Sequence, residues 1–252
     1  MRSWPYPFWI AHRGAGRLAP ENTLAAFRVG AGHGYRAFEC DVKRSADGVL
    51  FLLHDATLQR TTPAAGVAGE RPWIELSRLD AGGWHSRAFA GEPLPSLDAI
   101  ATHVQRNGFA LNIEIKPTPG DEAGTGEAVA RYVAEHWPAD ATPPLLSSFQ
   151  PDALAAAQAA AAQVPRALLL DRLRGGWLVQ AQALGCVAVV AAYALLDADV
   201  IGQAHAAGLR VLAYTVNDPA EAQRLHRAGI DGLITDAVDR FSPGPAPVAI
   251  LD

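Results

Sequence analysis

The stretch AFECDVKRSADGVLFLLH, residues 37–54, decides the fold of this chain. It contains two β-type runs, Ala37–Lys43 and Val49–His54, joined by only five residues. A crossover between parallel strands needs about a dozen residues or more, so these runs must pair antiparallel. Asp47-Gly48 in the connection is a strong hairpin-turn signal. The stretch therefore predicts a β-hairpin.

Outward from this hairpin, further β-type runs alternate with helical stretches such as Thr23–Gly32 and Pro219–Ala228, a pattern typical of a parallel sheet wrapped by helices. The further runs are Phe8–His12, Ala110–Lys116, Leu145–Ser148, Arg166–Leu170, Val187–Ala191, Arg210–Val216 and Gly232–Thr235. Together with Ala37–Lys43 they make eight parallel strands. We therefore predict an α/β fold, a single (β/α)8 TIM barrel with Val49–His54 as an excursion after strand 2. An open doubly wound sheet is the alternative, but the chain has no glycine-rich dinucleotide-binding loop.

Composition fits one barrel domain over residues 1–252. The chain has a mass of 26.6 kDa, is 50% hydrophobic and carries a formal net charge of −5. The acidic balance argues against nucleic-acid partners, and two cysteines cannot form a disulfide framework. No apolar run reaches the ~18 residues of a membrane span, and the first residues do not have the pattern of a signal peptide. We expect a cytoplasmic protein without an integral membrane segment; its oligomeric state is left open.

Residues 56–96 interrupt the alternation of strands and helices with a stretch rich in glycine and proline. A long irregular connection in a compact fold often covers a functional face. We expect an insertion or cap over the barrel mouth, in which Trp73, Trp84 and Phe89 pack against the barrel and shape a pocket. Composition alone fits a plain surface loop equally well.

Glu39 and Asp41 are the first candidates for chemistry. Side chains alternate along a strand, so both carboxylates lie on one face while Cys40 lies on the other. Two carboxylates so close repel each other unless a cation or protons intervene. If Asp47 and Gly48 are the two central turn residues, Asp41 lies opposite His54.

Asn112, Glu114 and Lys116 repeat this alternation on another strand. Charged residues that point into a barrel are costly unless they are paired, and the carboxyl ends of barrel strands are where such enzymes place their sites. A structural Glu114–Lys116 ion pair is the alternative to a catalytic role.

His12-Arg13-Gly14 ends the first strand and completes the set. Three carboxylates suit a hard divalent ion such as Mg²⁺ or Ca²⁺, Arg13 and Lys116 suit phosphate, and two histidines suit acid–base work. This is the inventory of a metal-assisted phosphate-ester hydrolase. The chain lacks the motifs of zinc sites, P-loops and serine hydrolases.

In its ordered motifs the chain resembles the glycerophosphodiester phosphodiesterase family, within the wider group similar to phosphatidylinositol-specific phospholipase C. The resemblance covers nearly the whole chain. Its motifs are His12-Arg13-Gly14, Pro20-Glu21-Asn22-Thr23 with Phe27, Glu39-x-Asp41-Val42, Asp47-Gly48, His54-Asp55, Leu58-x-Arg60-Thr61-Thr62, Gly91-x-Pro93-Leu94-Pro95-x-Leu97, Glu114-x-Lys116, Ser147-Ser148-Phe149, Thr215-Val216-Asn217 and Asp231-Gly232-x-x-Thr235-Asp236.

The resemblance implies hydrolysis of a small-molecule glycerophosphodiester to glycerol 3-phosphate and an alcohol. The implied roles are one divalent metal ion on Glu39, Asp41 and Glu114, acid–base catalysis by His12 and His54, and substrate binding by Arg13, Lys116, Phe149 and Tyr214. Tyr214 stands where the family often has tryptophan. Lysophospholipase D-like activity on lipid-bearing diesters and a non-catalytic phosphate-binding barrel are the alternatives. The likeness to phospholipase C also favours attack by the substrate's own 2-hydroxyl over direct attack by water.

Overall fold

The computed structural model describes residues 4–241 and 243. Its strands are β1 Trp9–Ala11, β2 Ala37–Arg44, β3 Leu50–Leu52, β4 Ala110–Ile115, β5 Leu145–Ser148, β6 Arg166–Leu170, β7 Ala188–Ala192, β8 Arg210–Tyr214 and β9 Gly232–Thr235. Its helices are α1 Leu24–Gly32, α2 Trp73–Leu76, α3 Leu97–Arg106, α4 Glu122–His136, α5 Pro151–Ala160, α6 Trp177–Ala183, α7 Ala198–Ala206 and α8 Pro219–Arg227. Three short 3₁₀ turns lie at Ala68–Glu70, Arg87–Phe89 and Tyr193–Leu195.

Eight of the strands close a parallel barrel. The ring runs β1-β2-β4-β5-β6-β7-β8-β9 and returns to β1, where Ala11 pairs with Thr235 on one side and Phe38 on the other. β3 lies outside the ring, antiparallel to β2. The predicted barrel with a hairpin excursion is confirmed. The ends of the predicted domain, residues 1–3, 242 and 244–252, lie outside the described residues.

Apolar side chains fill two layers of the barrel. The inner layer is built mainly from small and branched strand residues, among them Ile10, Ala167 and Val190. The outer layer packs the opposite strand faces, such as Cys40 and Ile113, against the helices. The interior above the inner layer is polar, because Glu39, Asn112 and Glu114 point inward at the carboxyl ends of their strands.

The register of the hairpin differs from the prediction. Val42 pairs with Leu52 and Arg44 with Leu50, and the Leu53 N–H bonds to the Asp41 carbonyl, so Asp41 lies opposite Leu53 and not His54. The physical reason is a three-residue loop between Ser45 and Val49 in place of a two-residue turn. The Ser45 hydroxyl donates to Asp47 and accepts from the Val49 N–H, and Gly48 adopts φ 89°.

Residues 56–96 form a packed segment with a small core of their own. Leu58, Leu76 and Leu94 are buried there against Phe51 of β3. Trp73 packs on Phe51, Phe89 packs on the outer layer of the barrel, and Trp84 is 41% exposed. None of these three rings lines either of the two cavities at the strand ends.

Helix starts follow the sequence signals. Thr23 caps α1 through a hydrogen bond from the Ala26 N–H, and Asp218 caps α8, which begins with Pro219. Within the described part of the chain, no helix combines the length and the apolar character that crossing a bilayer requires.

Candidate active site

Three buried carboxylates meet at the carboxyl ends of β2 and β4. Asp41 pairs in register with Glu114, and both point into the barrel together with Glu39. One oxygen from each lies within 4.8 Å of the others. Parallel strands end on one side of a barrel, which is why residues 75 positions apart in sequence can form one cluster.

Two backbone-anchored contacts hold the cluster in place. The Arg13 N–H donates to Glu39 Oε2 at 3.0 Å, and the side chain of Asn22 both donates to Asp41 Oδ2 at 2.8 Å and accepts from the Asp41 N–H. Arg13 and Asn22 both have positive φ, 51° and 59°, a region that residues other than glycine seldom occupy. Strained backbone of this kind concentrates at functional sites.

The charges of the cluster are uneven. Burial and then the charges of Asp41 and Glu114 raise the pKa of Glu39 well above its usual range. Burial and the charge of Asp41 likewise raise the pKa of Glu114 to about 7. Burial opposes ionisation of Asp41 too, but the charges of Arg13, Lys116 and His54 outweigh it and lower that pKa. Both shifts are in the direction that a nearby cation would oppose.

The donor set fits a hard divalent cation. It consists of carboxylate oxygens only, which Mg²⁺ and Ca²⁺ prefer. Asp41 Oδ1 is buried and makes no hydrogen bond to any residue that the structure describes, and the ammonium of Lys116 lies 3.6 Å away. A buried carboxylate oxygen left unpaired is costly unless a ligand satisfies it.

His12 follows β1 and lies on one side of the carboxylates. Its Nδ1 is 2.6 Å from Asp236 Oδ1, and its Nε2 is 3.7 Å from Glu39 Oε2. Asn217 donates to Asp236 Oδ2 and accepts from the Asp236 N–H. A proton on Nδ1 would therefore bind Asp236 and leave Nε2 toward the carboxylates.

His54 follows β3 and lines the same cavity as His12, Glu39 and Glu114. Its Nδ1 is 2.6 Å from Asp55 Oδ1, and Arg60 binds Asp55 through Nε at 2.6 Å. The same guanidinium binds both oxygens of Glu21 at 2.7 Å, and Glu21 also accepts from Arg13 at 2.9 Å. Burial lowers the pKa of His54, which favours its neutral form. The hairpin register differs from the predicted one, but His54 still lies at the site. His54 comes after the end of β3, so strand pairing does not fix its position.

The two predicted phosphate-binding cations are both present at the site. Lys116 lies 2.7 Å from Glu114 Oε1, so the ion pair considered from sequence exists inside the candidate active site. Arg13 directs Nε toward Asp41 at 3.3 Å and NH1 toward Glu21. Lys43, on the same strand face as Asp41, donates to the carbonyl of Lys116, and burial lowers its pKa to about 8.

A cavity of about 180 Å³ joins these groups. Phe149 and Tyr214 line it and meet edge to face with ring centres 5.8 Å apart, and the Lys116 ammonium lies 5.6 Å from the Phe149 ring centre. Tyr214 donates its hydroxyl to the Leu170 carbonyl at 3.1 Å. All nine predicted site residues thus lie at one end of the barrel, and all but Asp41 line this cavity.

Sequence reasoning did not give a role to several residues of the site. The position of Lys43 beside the carboxylates could have been predicted, because strand alternation puts it on the face of Glu39 and Asp41. Asn22, Glu21, Asp55, Arg60 and Asp236 stood inside quoted motifs without an assigned function. The contacts of Asn22 with Asp41, of Arg60 with Glu21 and of Asp236 with His12 join segments that are far apart in the chain, for which a single sequence carries no distance information.

Comparison with known proteins gives consistent matches. The model of the Glycerophosphoryl diester phosphodiesterase family matches residues 12–240. A glycerophosphodiester phosphodiesterase of Caldanaerobacter subterraneus subsp. tengcongensis is 31% identical over 232 residues, covering 90% of this chain and 93% of that protein. One of Bacillus altitudinis is 30% identical over 235 residues, covering 92% and 95%. A phosphodiesterase of Oleispira antarctica, solved with the product sn-glycerol-3-phosphate, has a TM-score of 0.88 and 34% identity, covering 93% and 95%.

Proposed function

The chain belongs to the glycerophosphoryl diester phosphodiesterase family, whose members are phosphoric diester hydrolases, and we propose that it uses one divalent cation and the pair His12 and His54 to release glycerol 3-phosphate. The observation that carries the proposal is a cluster of three buried carboxylates flanked by two histidines, each backed by an aspartate. A cation, a base and an acid around one cavity are the groups that cleavage of a phosphodiester requires.

Glu39, Asp41 and Glu114 would hold the cation, with Mg²⁺ and Ca²⁺ as the candidates. When bound, the ion would supply positive charge that stabilises the phosphate oxygens. Arg13 and Lys116 add fixed positive charge on the same cavity wall and would bind the phosphate oxygens.

His12 and His54 would share the two proton transfers. One removes a proton from the attacking hydroxyl, and the other donates a proton to the departing alkoxide. Asp236 and Asp55 each accept from a histidine Nδ1, so the Nε2 atoms remain for substrate. Phe149 and Tyr214 would form the apolar wall that contacts the glycerol part of the diester.

We propose that the attacking group is the glycerol 2-hydroxyl of the substrate. Its oxygen would bond to phosphorus while the bond from phosphorus to the leaving alcohol breaks, and water would then open the resulting cyclic phosphate to glycerol 3-phosphate. An internal nucleophile gains effective molarities of up to roughly 10⁵–10⁸ M over a bimolecular attack. A diester that lacks this hydroxyl should bind and turn over negligibly. Turnover near the rate of the parent diester would instead establish water as the direct nucleophile.

Release of glycerol 3-phosphate from a panel of diesters tests the function. Purified protein is stripped with a chelator, verified metal-free, and assayed before and after addition of Mg²⁺ or Ca²⁺. Activity should be lost on stripping and return with one of the ions. Full activity in verified metal-free protein would overturn the metal role, and a lysophosphatidylcholine arm tests the lipid-bearing alternative.

A further inference from the structure

A second cavity, of about 190 Å³, adjoins the first at the barrel mouth. The two share His54, Glu114, Lys116 and Phe149. Beyond these shared residues, the second cavity is bounded by Lys43, Ala56, Gln150 and the loop after β4 with Pro117 and Pro119. A substrate lying across the shared wall would therefore have one part in each cavity.

Only the first cavity contains His12, Arg13 and Glu39. On the proposed function, the phosphate and its glycerol arm must lie beside these groups. The other substituent of the phosphate then has to leave past His54 and Phe149, and the second cavity lies on that side. Its volume of about 190 Å³ is sufficient for a small alcohol.

The second cavity presents hydrogen-bond donors of positive charge. Lys43 is 1% exposed, and its ammonium is held at 2.9 Å by the carbonyl of Lys116. The ammonium of Lys116 also lies on this wall, and Gln150 adds an exposed amide. The one carboxylate on the wall, Glu114, is paired with Lys116 at 2.7 Å.

The same wall lacks what a quaternary ammonium group needs. Such cations bind in cages of several aromatic rings. Among the residues lining this cavity Phe149 is the single aromatic ring apart from the imidazole of His54, and Lys116 already lies over its face at 5.6 Å. Choline would meet two ammonium groups there, and like charges at close range cost binding energy.

We propose that the second cavity is the subsite for the leaving alcohol and that it selects neutral polyhydroxyl alcohols over cationic ones. The proposal rests on the proposed function. Lys116 and Gln150 offer donors to hydroxyl oxygens of a polyol such as glycerol or inositol. The buried ammonium of Lys43 adds positive charge behind this wall, and Lys43 thereby acts as the specificity-determining residue.

The test compares kcat/KM for release of glycerol 3-phosphate from glycerophosphoglycerol, glycerophosphoinositol, glycerophosphocholine and glycerophosphoethanolamine. Wild-type protein should prefer the polyol diesters by about tenfold or more. Lys43→Met keeps the buried stem and removes the charge, so the preference should fall by about fivefold or more. Arg44→Met is the matched control, because it removes a charge one residue along β2, where Arg44 pairs with Asp121, and should leave the preference unchanged.

Gln150→Glu provides a second, independent variant. Position 150 is exposed, so the protein should fold, and a carboxylate there should raise the choline rate relative to the glycerol rate. Equal wild-type rates on choline and polyol diesters, or a preference untouched by both variants, would overturn the subsite while leaving the hydrolase intact. No glycerol 3-phosphate from any diester with any metal would instead overturn the proposed function.

Discussion

The two histidines of the site each bind an aspartate through Nδ1, but the two aspartates are held in place by different parts of the chain. His12 binds Asp236, a residue 224 positions away, and Asn217 fixes that aspartate from the loop after β8. His54 binds its own neighbour Asp55, which is fixed by Arg60 from the segment 56–96. One pair is held by closure of the barrel, and the other by a segment outside it.

The aspartates of the two proposed acid–base histidines are therefore held by different parts of the molecule. On the His12 side, Gly16 approaches the backbone of Asp236 so closely that no Cβ would fit, and β1 pairs with β9 at Thr235. On the His54 side, Arg60 is 43% exposed along its side chain and bridges Asp55 to Glu21. The segment therefore influences the site through one guanidinium rather than through its aromatic rings.

The largest expected effect comes from the histidines themselves. If each transfers one proton, His12→Ala and His54→Ala should each lower kcat by roughly 10²- to 10⁴-fold. His33→Ala, at the exposed end of α1, is the matched control and should retain activity. A folded His12→Ala or His54→Ala enzyme with near-normal kcat would remove that residue from the mechanism.

The supporting aspartates should separate the two sides. Asp236→Asn turns an amide toward Asn217 and misorients His12, so we expect kcat to fall by roughly 100-fold. Asp55→Asn should lower kcat by about 10-fold. Both values lie within the range for residues that orient active-site histidines. Measuring kcat and KM separately checks this, because orientation acts on kcat. Equal losses would mean that barrel closure gives His12 no special dependence on its aspartate.

Most of the fold could be predicted from sequence because its signals are local. The barrel followed from counting β-type runs and from the short connection between Ala37–Lys43 and Val49–His54, and the carboxylate cluster followed from strand alternation. The hairpin register could not be predicted, since the Ser45 hydroxyl competes with the two-residue turn that Asp47-Gly48 favours. The partnership of His12 with Asp236 depends on ring closure, a property of the whole chain.

Arg60 tests whether the segment 56–96 supports His54. Arg60→Met removes the bonds to Asp55 and Glu21, and a small displacement of His54 should lower kcat by roughly tenfold or less. Arg71→Met, in the same segment and paired with the exposed Glu75, is the matched control. The pH profile should move on the limb that belongs to His54. An unchanged profile together with an unchanged kcat would reduce Arg60 to a surface ion pair.

The smallest expected effect is on stability. The hydrogen bond from Arg60, together with that from His54, lowers the pKa of Asp55 from 3.8 to about 2. Partial burial of Asp55 raises this pKa, but by less than the hydrogen bonds lower it. A carboxylate whose folded pKa is depressed stabilises the protein above its unfolded pKa, and this contribution is lost as pH falls from about 4 to about 2. Since Asp55 is 30% exposed, its contribution should be on the order of 1 kcal/mol after screening.

Urea unfolding of metal-free wild type and Asp55→Asn at pH 6 and pH 2.5 measures this contribution to the free energy of unfolding. The penalty of the substitution should be present at pH 6 and mostly absent at pH 2.5. Asp236, whose pKa is also lowered, should change in the same direction. A penalty for Asp55→Asn that does not change with pH would mean that Asp55 contributes through packing and not through its charge, and the support of His54 would then not be electrostatic.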